Sequence, residues 1–542
     1  MAAGSPPRPG RIAVVTTSQP TDRLLCLPHA RTRRRRHRRG EAPGGQTWTA
    51  RVRQRWLGHR SRTVAQMSTS AAWLPELRAV LPADAVVDDP DVVAGYSRDM
   101  AMLAPNGRSA AVAFPSNTAE VSAVLQMASA HRVPVVPRGA GSGLAGSANG
   151  IDGAIMLSMI RMNAILEVDP VNRLAVVQPG VINKALRDAV EVQGLFYPPD
   201  PSSFDWCTIG GNLSTNAGGL CCVKYGVTTD FVMGIEVVLA NGEVLRTGHR
   251  TVKGVAGYDL ARLFVGSEGT LGVITEATLS LRPKPAPPVT LVATFDSTTA
   301  AGKVVEAVAT GGLVPSLLEL MDRTCIRAVD DMAQMDLDRD AAALLVAQSD
   351  SGGARAAEEI AAVAAACENA GATFVHHTDD LQEGAMLLHA RRMALPALEL
   401  LGTTLIDDVA VPRSRISEFL DRTAEIAQER RVILGVVGHA GDGNMHPTIC
   451  FDPTDADQYE RAFAAYNDIL EVGLSLGGTI TGEHGVGNLK TDWLAREIGP
   501  VGLRVHAAIK AALDPLGIMN PGKVFAPQTV LEPSLVLAAV GR

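Results

Sequence analysis

A proline-rich stretch divides this 542-residue chain into two parts with different residue patterns. The six residues 283–288 contain four prolines, and proline fixes φ and has no backbone N–H group. Neither a helix nor a central strand continues through such a stretch, so we predict a domain boundary here. The length of the chain allows two to four domains.

The part before this boundary has the alternating strand and helix patterns of an α/β layer. The Asn241-Gly242 pair is typical of a tight hairpin turn, because both residues tolerate positive φ. The periodicity of apolar residues predicts helices at 118–132 and 182–193 and strands at 133–137, 154–159, 174–178, 235–239 and 244–247.

Three clusters of glycine, serine, threonine and asparagine lie in the same part, at 137–147, 208–219 and 265–275. Exposed backbone N–H groups in such loops can bind a pyrophosphate, and glycine lets the ligand approach closely. A single cluster is also compatible with a flexible turn. The first one lacks the helix and the later acidic residue of the GxGxxG dinucleotide fingerprint. Three clusters together can wrap one long ligand.

The part after the boundary repeats a strand followed by a helix. This pattern predicts a second sheet with helices on one face. The predicted strands are 290–295, 341–347 and 402–411 with a hairpin at 436–449, and the predicted helices are 300–311, 354–370, 414–430, 456–476 and 505–514.

Two histidines flank the turn of the predicted hairpin. His439 and His446 lie on either side of a Gly-Asp-Gly-Asn turn at 441–444, and Glu483-His484 follows in a second glycine-rich segment. Three histidines and one glutamate can form a three-ligand metal site with a free base. The residues alone equally allow a turn with solvated histidines.

Charge is distributed unevenly along the chain. Residues 1–66 contain fifteen Arg, no Lys and two acidic residues, which gives them +13 and leaves −20 for the rest of a chain whose total is −7. An acidic body does not favour nucleic acid as a partner.

The seven cysteines include no CxxC pair, which fits a reducing compartment. No apolar run reaches the roughly 18–20 residues of a membrane span.

Residues 1–66 are rich in arginine and proline, and we expect them to be disordered. Three explanations are open: a transit peptide, a polybasic segment that binds anionic lipid or nucleic acid, or an untranslated extension upstream of a true start at Met67. We favour the third. The protein is then expected in the cytoplasm of a bacterium, free or at a membrane surface, whereas a genuine transit peptide predicts a mitochondrial location.

The order of these motifs resembles the FAD-linked oxidase family of the vanillyl-alcohol-oxidase fold, in the branch of the D-lactate, D-2-hydroxyglutarate and glycolate dehydrogenases. The resemblance extends from about residue 74 to 528. It is carried by Val-Pro-Arg-Gly at 136–139, Pro-Asp-Pro-Ser at 199–202, the cluster at 208–219, Lys-Tyr-Gly at 224–226, Gly-Ser-Glu-Gly at 266–269, Gly-Asp-Gly-Asn at 441–444, Glu-His-Gly at 483–485 and Asn-Pro-Gly-Lys at 520–523.

The resemblance implies an α+β fold with a two-part FAD-binding domain and a cap domain whose antiparallel sheet is covered by helices. The implied domains are a leader at 1–66, an FAD-binding domain at 67–285, a substrate and cap domain with the metal site at 286–505, and a C-terminal return to the FAD domain at 506–542.

The resemblance also implies a non-covalent FAD. Residues 138–143 would bind the pyrophosphate, 199–202 and 209–216 would line the isoalloxazine and ribityl, and 268–274 would lie along the adenosine half. Cys207 lies near the position of a cysteinyl flavin bond elsewhere in the fold, but we expect an inert thiol. The implied flavin residues are Arg138, Gly139, Ala140, Gly141, Ser142, Gly143, Pro199, Asp200, Ser202, Ile209, Gly210, Asn212, Ser214, Thr215, Gly218, Glu268, Gly272, Ile274 and Asn520.

His439, His446 and Glu483 match the family's metal ligands, for Zn²⁺ or alternatively Mn²⁺ or Fe²⁺. His484 matches the catalytic base, which would accept the proton of the substrate's 2-hydroxyl while a hydride leaves for the flavin. Asn444 would lie close to the substrate.

Arg391 matches a carboxylate-binding arginine of the family, and the adjacent Arg392 is the alternative. The positions that bind a second carboxylate in the hydroxyglutarate branch are here Leu395 and Ile406, both apolar. We therefore expect a D-2-hydroxy monocarboxylate such as D-lactate, or glycolate, because a second carboxylate would be left unpaired.

Two alternatives to this dehydrogenase remain: the flavin subunit of a glycolate-oxidising complex, and a flavin-dependent transferase of the alkylglycerone-phosphate-synthase type. The expected electron acceptor is a cytochrome, a quinone, an electron-transferring flavoprotein or O₂. A homodimer is compatible with these expectations.

Overall fold

The computed structural model describes residues 72–525, and the predictions for 1–66 and for 526–542 lie outside this range. The chain first forms a sheet of four strands, in which the last three are parallel to one another and the first is antiparallel. The strands are β1 (Val86–Val87), β2 (Ala111–Ala113), β3 (Val135–Arg138) and β4 (Ile155–Ser158), in the order β1-β2-β4-β3.

An antiparallel sheet of five strands follows, in the order β5-β6-β10-β8-β9. Val238 pairs with Val244 across the Asn241-Gly242 turn, so the predicted hairpin is confirmed. The strands are β5 (Ile165–Asp169), β6 (Leu174–Val177), β8 (Val232–Val238), β9 (Val244–Gly248) and β10 (Val273–Ser280), while β7 (Leu195–Phe196) and β11 (Arg282–Pro283) form a separate pair.

The helices of this part cover the sheets, and the helix at Ile209–Thr215 lies within the small-residue cluster at 208–219. The helix at Thr118–His131 begins where Asn117 accepts a hydrogen bond from the Glu120 N–H (3.0 Å) and ends at Arg132, which has a left-handed backbone. The helices are α1 (Leu74–Val80), α2 (Pro90–Gly95), α3 (Thr118–His131), α4 (Asn183–Glu191), α5 (Ile209–Thr215), α6 (Cys222–Tyr225) and α7 (Leu260–Phe264).

The second part contains an antiparallel sheet with the strand order β15-β12-β14-β13-β18-β19-β16, and β17 pairs with β19 beside it. The strands are β12 (Val289–Phe295), β13 (Leu317–Asp322), β14 (Ala343–Ser349), β15 (Phe374–Thr378), β16 (Thr403–Ile406), β17 (Val409–Ala410), β18 (Ile433–His439) and β19 (Asn444–Phe451).

Helices cover both faces of this sheet, so the prediction of helices on one face is wrong. Along β12, Leu291 and Ala293 pack into one apolar core, whereas Val292 between them packs into another on the opposite face. The first core is completed by α8 (Thr298–Thr310), α10 (Gly353–Asn369), α13 (Ile416–Arg430) and α14 (Ala456–Ser475), and the second by α9 (Arg323–Ala333), α11 (Leu381–Arg392) and α12 (Ala394–Glu399).

The strand predicted at 402–411 is interrupted. Its two halves, β16 and β17, both pair with β19, but Asp407 and Asp408 between them are fully buried and do not belong to the ladder. Their carboxylates bind groups from the C-terminal region instead: Asp407 forms an ion pair with Lys490 (3.0 Å). Burial of a charged group requires such partners, although the Asp407 N–H still donates to the Pro447 carbonyl of β19 (2.8 Å).

The last helix, α15 (Thr491–Leu513), kinks at Gly499-Pro500 and leads the chain back to the first sheet. There the Val135 N–H donates to the Ile518 carbonyl (2.8 Å) and the Asn520 N–H donates to the Val135 carbonyl (2.8 Å). Within 72–525, every helix is too short or too polar to cross a bilayer.

Candidate functional site

A cleft of about 420 Å³ extends from the first small-residue loop to the histidines of the β18–β19 hairpin. Polar and charged side chains from the second part line one end of it: Arg391, His439, His446, Glu483 and His484. The other end is lined by fourteen of the predicted flavin residues, namely Arg138, Gly139, Ala140, Gly141, Ser142, Gly143, Ser202, Gly210, Asn212, Ser214, Thr215, Glu268, Gly272 and Ile274.

The loop that follows β3 can only be built from very small residues. A Cβ atom at Gly139 would collide with the Thr208 hydroxyl, and one at Gly141 would collide with the Arg138 guanidinium. Gly141 also has φ +84°. The backbone N–H groups of 140–143 donate no hydrogen bond to another residue of the described range, which leaves them free for a ligand.

Five of the predicted flavin residues are not among those that line the cleft. Asp200 is buried and accepts a hydrogen bond from the Cys221 N–H (3.1 Å), and Ile209 belongs to an apolar core. The side chain of Asn520 donates to the Ser147 carbonyl (2.9 Å) from behind the lining. The five residues are Pro199, Asp200, Ile209, Gly218 and Asn520.

The opposite end of the cleft is formed by the β18–β19 hairpin, whose prediction is confirmed. His439 pairs with Asn444 at its turn, and His446 pairs with Val437 two rungs further along the ladder. The Nε2 atoms of His439 and His446 lie 3.1 and 3.2 Å from the same atom, Oε1 of Glu483.

The second ring nitrogen of each histidine faces a buried carboxylate. His439 Nδ1 lies 2.8 Å from Glu319 Oε1, and His446 Nδ1 lies 3.6 Å from Asp408 Oδ1. The first distance is a hydrogen bond, and the second is an electrostatic contact. In the neutral ring, an Nδ1–H of His439 that donates to Glu319 leaves the Nε2 lone pair, which faces Glu483, available to a metal ion, as metal-binding histidines require.

The charge of this centre favours a bound cation. Burial alone would lower the pKa of His439, but the Glu319 and Glu483 carboxylates outweigh it and hold the pKa well above its usual value. The pKa of Glu483 is correspondingly held well below its usual value by the two histidines, despite burial. Burial raises the pKa of nearby Asp442 to about 6. The carboxylates thus attract positive charge to the position between the histidines.

His484 has the protonation state of a base. Burial lowers its pKa to about 4, against the opposing attraction of Asp408. The imidazole is therefore neutral at pH 7 and can accept a proton. Its Nε2 lies 4.0 Å from Glu483 Oε1.

Comparison with known proteins connects this geometry to a family. Residues 109–248 match the family model described as "FAD binding domain", and residues 284–524 match "FAD linked oxidases, C-terminal domain". The chain is 45% identical over 417 residues to "Glycolate oxidase subunit GlcD" of Bacillus subtilis, an alignment that covers 77% of this chain and 89% of the relative. The chain belongs to the FAD-linked oxidase family.

A second relative is "D-lactate dehydrogenase" of Anaerostipes hadrus, 34% identical over 83% of this chain and 96% of the relative. Among solved structures, p-cresol methylhydroxylase has the same fold: the TM-score is 0.71 at 19% identity, over 84% of this chain and 97% of that chain. The vanillyl-alcohol-oxidase fold expected from the sequence is therefore confirmed.

The cleft of this FAD-linked oxidase fits a flavin dinucleotide. Its free N–H groups at 140–143 suit a pyrophosphate, and the small residues of α5 leave room for the rest of a long ligand. Cys207 is buried and is not among the lining residues, and its Sγ accepts a hydrogen bond from the Asn212 side chain (3.3 Å).

The histidine end fits a metal ion. Atoms held about 2.0–2.2 Å from a tetrahedral Zn²⁺ lie roughly 3.3–3.6 Å from one another. The two Nε2 atoms are within 0.2 Å of that spacing from Glu483 Oε1, at 3.1 and 3.2 Å. Asp408, His446, Glu483 and His484 also offer one atom each within 4.8 Å of one another. Asp408 Oδ2 binds three protein donors and its Oδ1 has no hydrogen-bond partner, but Asp408 is not among the residues that line the cleft, whereas His439 is.

The wall near the metal end contains both candidate arginines. Arg391 is buried, with Nε 2.9 Å from Glu319 Oε2, whereas Arg392 is exposed and its guanidinium lies 5.7 Å from the centre of the Phe204 ring. Leu395 and Ile406 line the cleft beside them. Arg391 and the candidate ligand His439 are linked through Glu319, which contacts both side chains.

Asn444 is not among the residues that line the cleft. It is buried at the hairpin turn, its side-chain oxygen has no hydrogen-bond donor, and Gly482 packs directly against it. A Cβ atom at Gly482 would collide with the Asn444 carboxamide. Its substrate-binding role stays a prediction.

The sequence reading missed Glu319 and Asp408. Glu319 lies in the middle of β13, among the apolar residues that precede Asp322 at the end of the strand. Asp407-Asp408 interrupts another apolar run. A charged residue inside an otherwise buried strand is rare unless it has a partner, and that was the available signal. Their partners, however, lie 120 and 38 positions away along the chain and meet them only after folding.

Proposed function

We propose that this chain is an FAD- and divalent-metal-dependent dehydrogenase that oxidises a D-2-hydroxy monocarboxylate, such as D-lactate, to the 2-oxo acid. The supporting observation is the convergence of His439, His446 and Glu483 at one end of the cleft, with the free N–H groups of 140–143 at the other. The relatives named D-lactate dehydrogenase and glycolate oxidase subunit support the same class of reaction.

In this proposal His439, His446 and Glu483 hold the metal ion, and the small-residue loops hold the flavin. When bound, the flavin supplies a hydride acceptor and the metal ion supplies a Lewis acid that makes a nearby hydroxyl more acidic.

His484 accepts the proton of the substrate's 2-hydroxyl at its unprotonated ring nitrogen. Its pKa of about 4 keeps the imidazole neutral at physiological pH, so no prior deprotonation is needed. Loss of this proton and of a hydride from C2 forms the carbonyl group, so the substrate gives up two electrons and two hydrogen nuclei.

Arg391 binds and orients the substrate's carboxylate. Its Nε is held near Glu319, which leaves the two terminal nitrogens of the guanidinium for the cleft. A guanidinium fork matches a carboxylate in two parallel hydrogen bonds.

Leu395 and Ile406 select the tail of the substrate. Both line the cleft near the ligands, and neither can pair with a second carboxylate. A methyl group or another short apolar tail has no charge that would be left unpaired beside Leu395 and Ile406. For this reason we expect D-lactate rather than a dicarboxylate.

Anaerobic bleaching of the bound flavin tests the proposal. D-lactate is expected to bleach the flavin, with L-lactate as the matched control and D-2-hydroxyglutarate as the dicarboxylate. Faster bleaching by D-2-hydroxyglutarate would contradict the assignment of the wall, and bleaching by L-lactate alone would contradict the assigned configuration.

A second candidate is the flavin subunit of a glycolate-oxidising complex, because the 45% identical relative is named a glycolate oxidase subunit. Turnover of glycolate by the purified chain with an artificial dye separates the two. A chain that bleaches with D-lactate and turns over alone supports the first candidate. A chain that binds FAD but needs added subunits for any turnover supports the second.

A further inference from the structure

Segment 481–487 carries both Glu483 and His484, and a buried carboxylate holds its first half. Asp408 Oδ2 accepts hydrogen bonds from the N–H groups of Glu483 (3.0 Å) and His484 (2.8 Å) and from the Thr481 hydroxyl (2.6 Å). This carboxylate comes from the same part of the chain as the metal ligands.

A second buried carboxylate, from the flavin-binding part, holds the other half of the segment. Glu268 Oε1 accepts from the Val486 N–H (2.7 Å), and its Oε2 accepts from the Gly487 N–H (2.8 Å) and from the Ser147 hydroxyl. The approach is close, because a Cβ atom at Gly485 would lie 2.8 Å from Glu268 Oε1.

Glu268 is fixed by the walls of the flavin end of the cleft. Its backbone has φ +52°, in the left-handed region that residues other than glycine rarely adopt. The Glu268 N–H donates to the Ser214 carbonyl (2.8 Å), and the Asn520 side chain donates to the Glu268 backbone carbonyl (2.7 Å). Glu268, Ser147 and Ser214 all line the cleft.

The geometry points to Glu268 as a positioning residue through which flavin in the cleft strengthens metal binding by His439, His446 and Glu483. This inference rests on the proposed function. A flavin that orders the loops of Ser147, Ser214 and Glu268 also orders the Glu268 carboxylate, which accepts hydrogen bonds from the Val486 and Gly487 N–H groups. Glu483, three residues earlier, is then held for the metal ion.

Such coupling is reciprocal: the factor by which flavin tightens the metal equals the factor by which the metal tightens flavin. It is measurable without turnover. Zn²⁺ affinity is determined by competition with a chromogenic chelator, for the flavin-free protein and for the protein saturated with FAD. For the unmodified chain we expect FAD to tighten Zn²⁺ binding at least about fivefold, the lower end of the usual range for coupled sites.

Glu268→Gln should reduce this ratio to within about twofold of one, because the carboxamide offers a single acceptor oxygen where the carboxylate offered two. Asp408→Asn is the matched control, since it also neutralises a buried carboxylate that binds segment 481–487. It should weaken Zn²⁺ binding in both flavin states and leave the ratio unchanged. A Glu268→Gln variant with the ratio of the unmodified chain overturns the inference.

Hydrogen exchange of the unmodified chain provides a test that does not depend on the variant's folding. Addition of FAD should slow exchange of the Val486 and Gly487 N–H groups at least about tenfold, because local opening then requires loss of the ordered acceptor. Unchanged exchange at both positions overturns the inference. Zn²⁺ binding that is independent of FAD refutes only the coupling, whereas absence of any Zn²⁺ binding refutes the proposed metal site as well.

Discussion

His446 and His484 stack face to face, with ring centroids 4.8 Å apart and planes inclined by 13°. His446 is a proposed ligand and His484 is the proposed base, so the two functions are performed by side chains in direct contact. His439 lies edge-on to His446 at 5.2 Å, which restricts the middle ring from both sides. The position of the base is therefore determined by the ligand beside it.

His484→Ala is expected to retain FAD but to lose anaerobic bleaching by substrate about 10²–10⁴-fold, the usual contribution of a general base. Stopped-flow absorbance of the flavin measures this rate. His377→Ala, at an exposed position of β15, is the control and should bleach at the normal rate. Rapid bleaching by the His484 variant would assign the base elsewhere.

Removal of the metal by a chelator should abolish bleaching and leave the flavin bound, and added Zn²⁺ or Mn²⁺ should restore it. Glu319→Gln should lower metal affinity about 10–100-fold, because the carboxylate orients His439 through its Nδ1–H. Flavin absorbance measures the first effect and metal content by mass spectrometry the second, with the exposed Glu306→Gln as control. Full activity of the metal-free protein would refute the role of the ion.

Arg391→Lys keeps a positive charge near Glu319 but loses the planar fork. We expect KM for D-lactate to rise roughly 10–100-fold, corresponding to the loss of about 1.5–3 kcal/mol from a charged hydrogen bond. Arg392→Lys is the matched control and should leave KM unchanged. If instead the Arg392 variant alone raises KM, the carboxylate binds to Arg392.

Leu395→Thr combined with Ile406→Lys should admit a dicarboxylate. The new ammonium and hydroxyl can pair with a second carboxylate, which removes the penalty of leaving it unpaired. The ratio of kcat/KM for D-2-hydroxyglutarate over D-lactate should rise about tenfold or more, equivalent to roughly 1.4 kcal/mol or more. The apolar control Leu395→Met with Ile406→Leu should keep the original preference. A ratio that does not change would place the substrate's tail at another wall.

Two Lys–Asp pairs with the same spacing of four residues differ in burial. Lys510–Asp514 is almost fully buried (2.5 Å), whereas Lys184–Asp188 is about half exposed (2.7 Å). Lys510→Met should lower the free energy of unfolding by about 3–5 kcal/mol, because it leaves a buried carboxylate unpaired. Lys184→Met should change it by less than about 1 kcal/mol. Urea denaturation measures both, and equal effects would contradict this reasoning.

The local features of the chain were predictable from the sequence. The β18–β19 hairpin follows from its turn residues, and the clusters at 137–147 and 265–275 follow from their small side chains. The second layer of helices over the large sheet was missed, although the largely apolar β12, in which only Thr290 and Thr294 are polar, is typical of a strand buried on both faces. Glu319 and Asp408 could not be assigned, because their roles depend on contacts between distant segments.

The proposed selectivity residues and the proposed chemical centre lie on different elements of the second part. Ile406 ends β16, the edge strand, and Leu395 lies in the short helix α12, whereas His439 and His446 belong to the hairpin inward of that edge. An edge strand has a single hydrogen-bonded neighbour. Under the proposed assignment, divergence at this margin can exchange one acid for another while the interior hairpin keeps the same reaction.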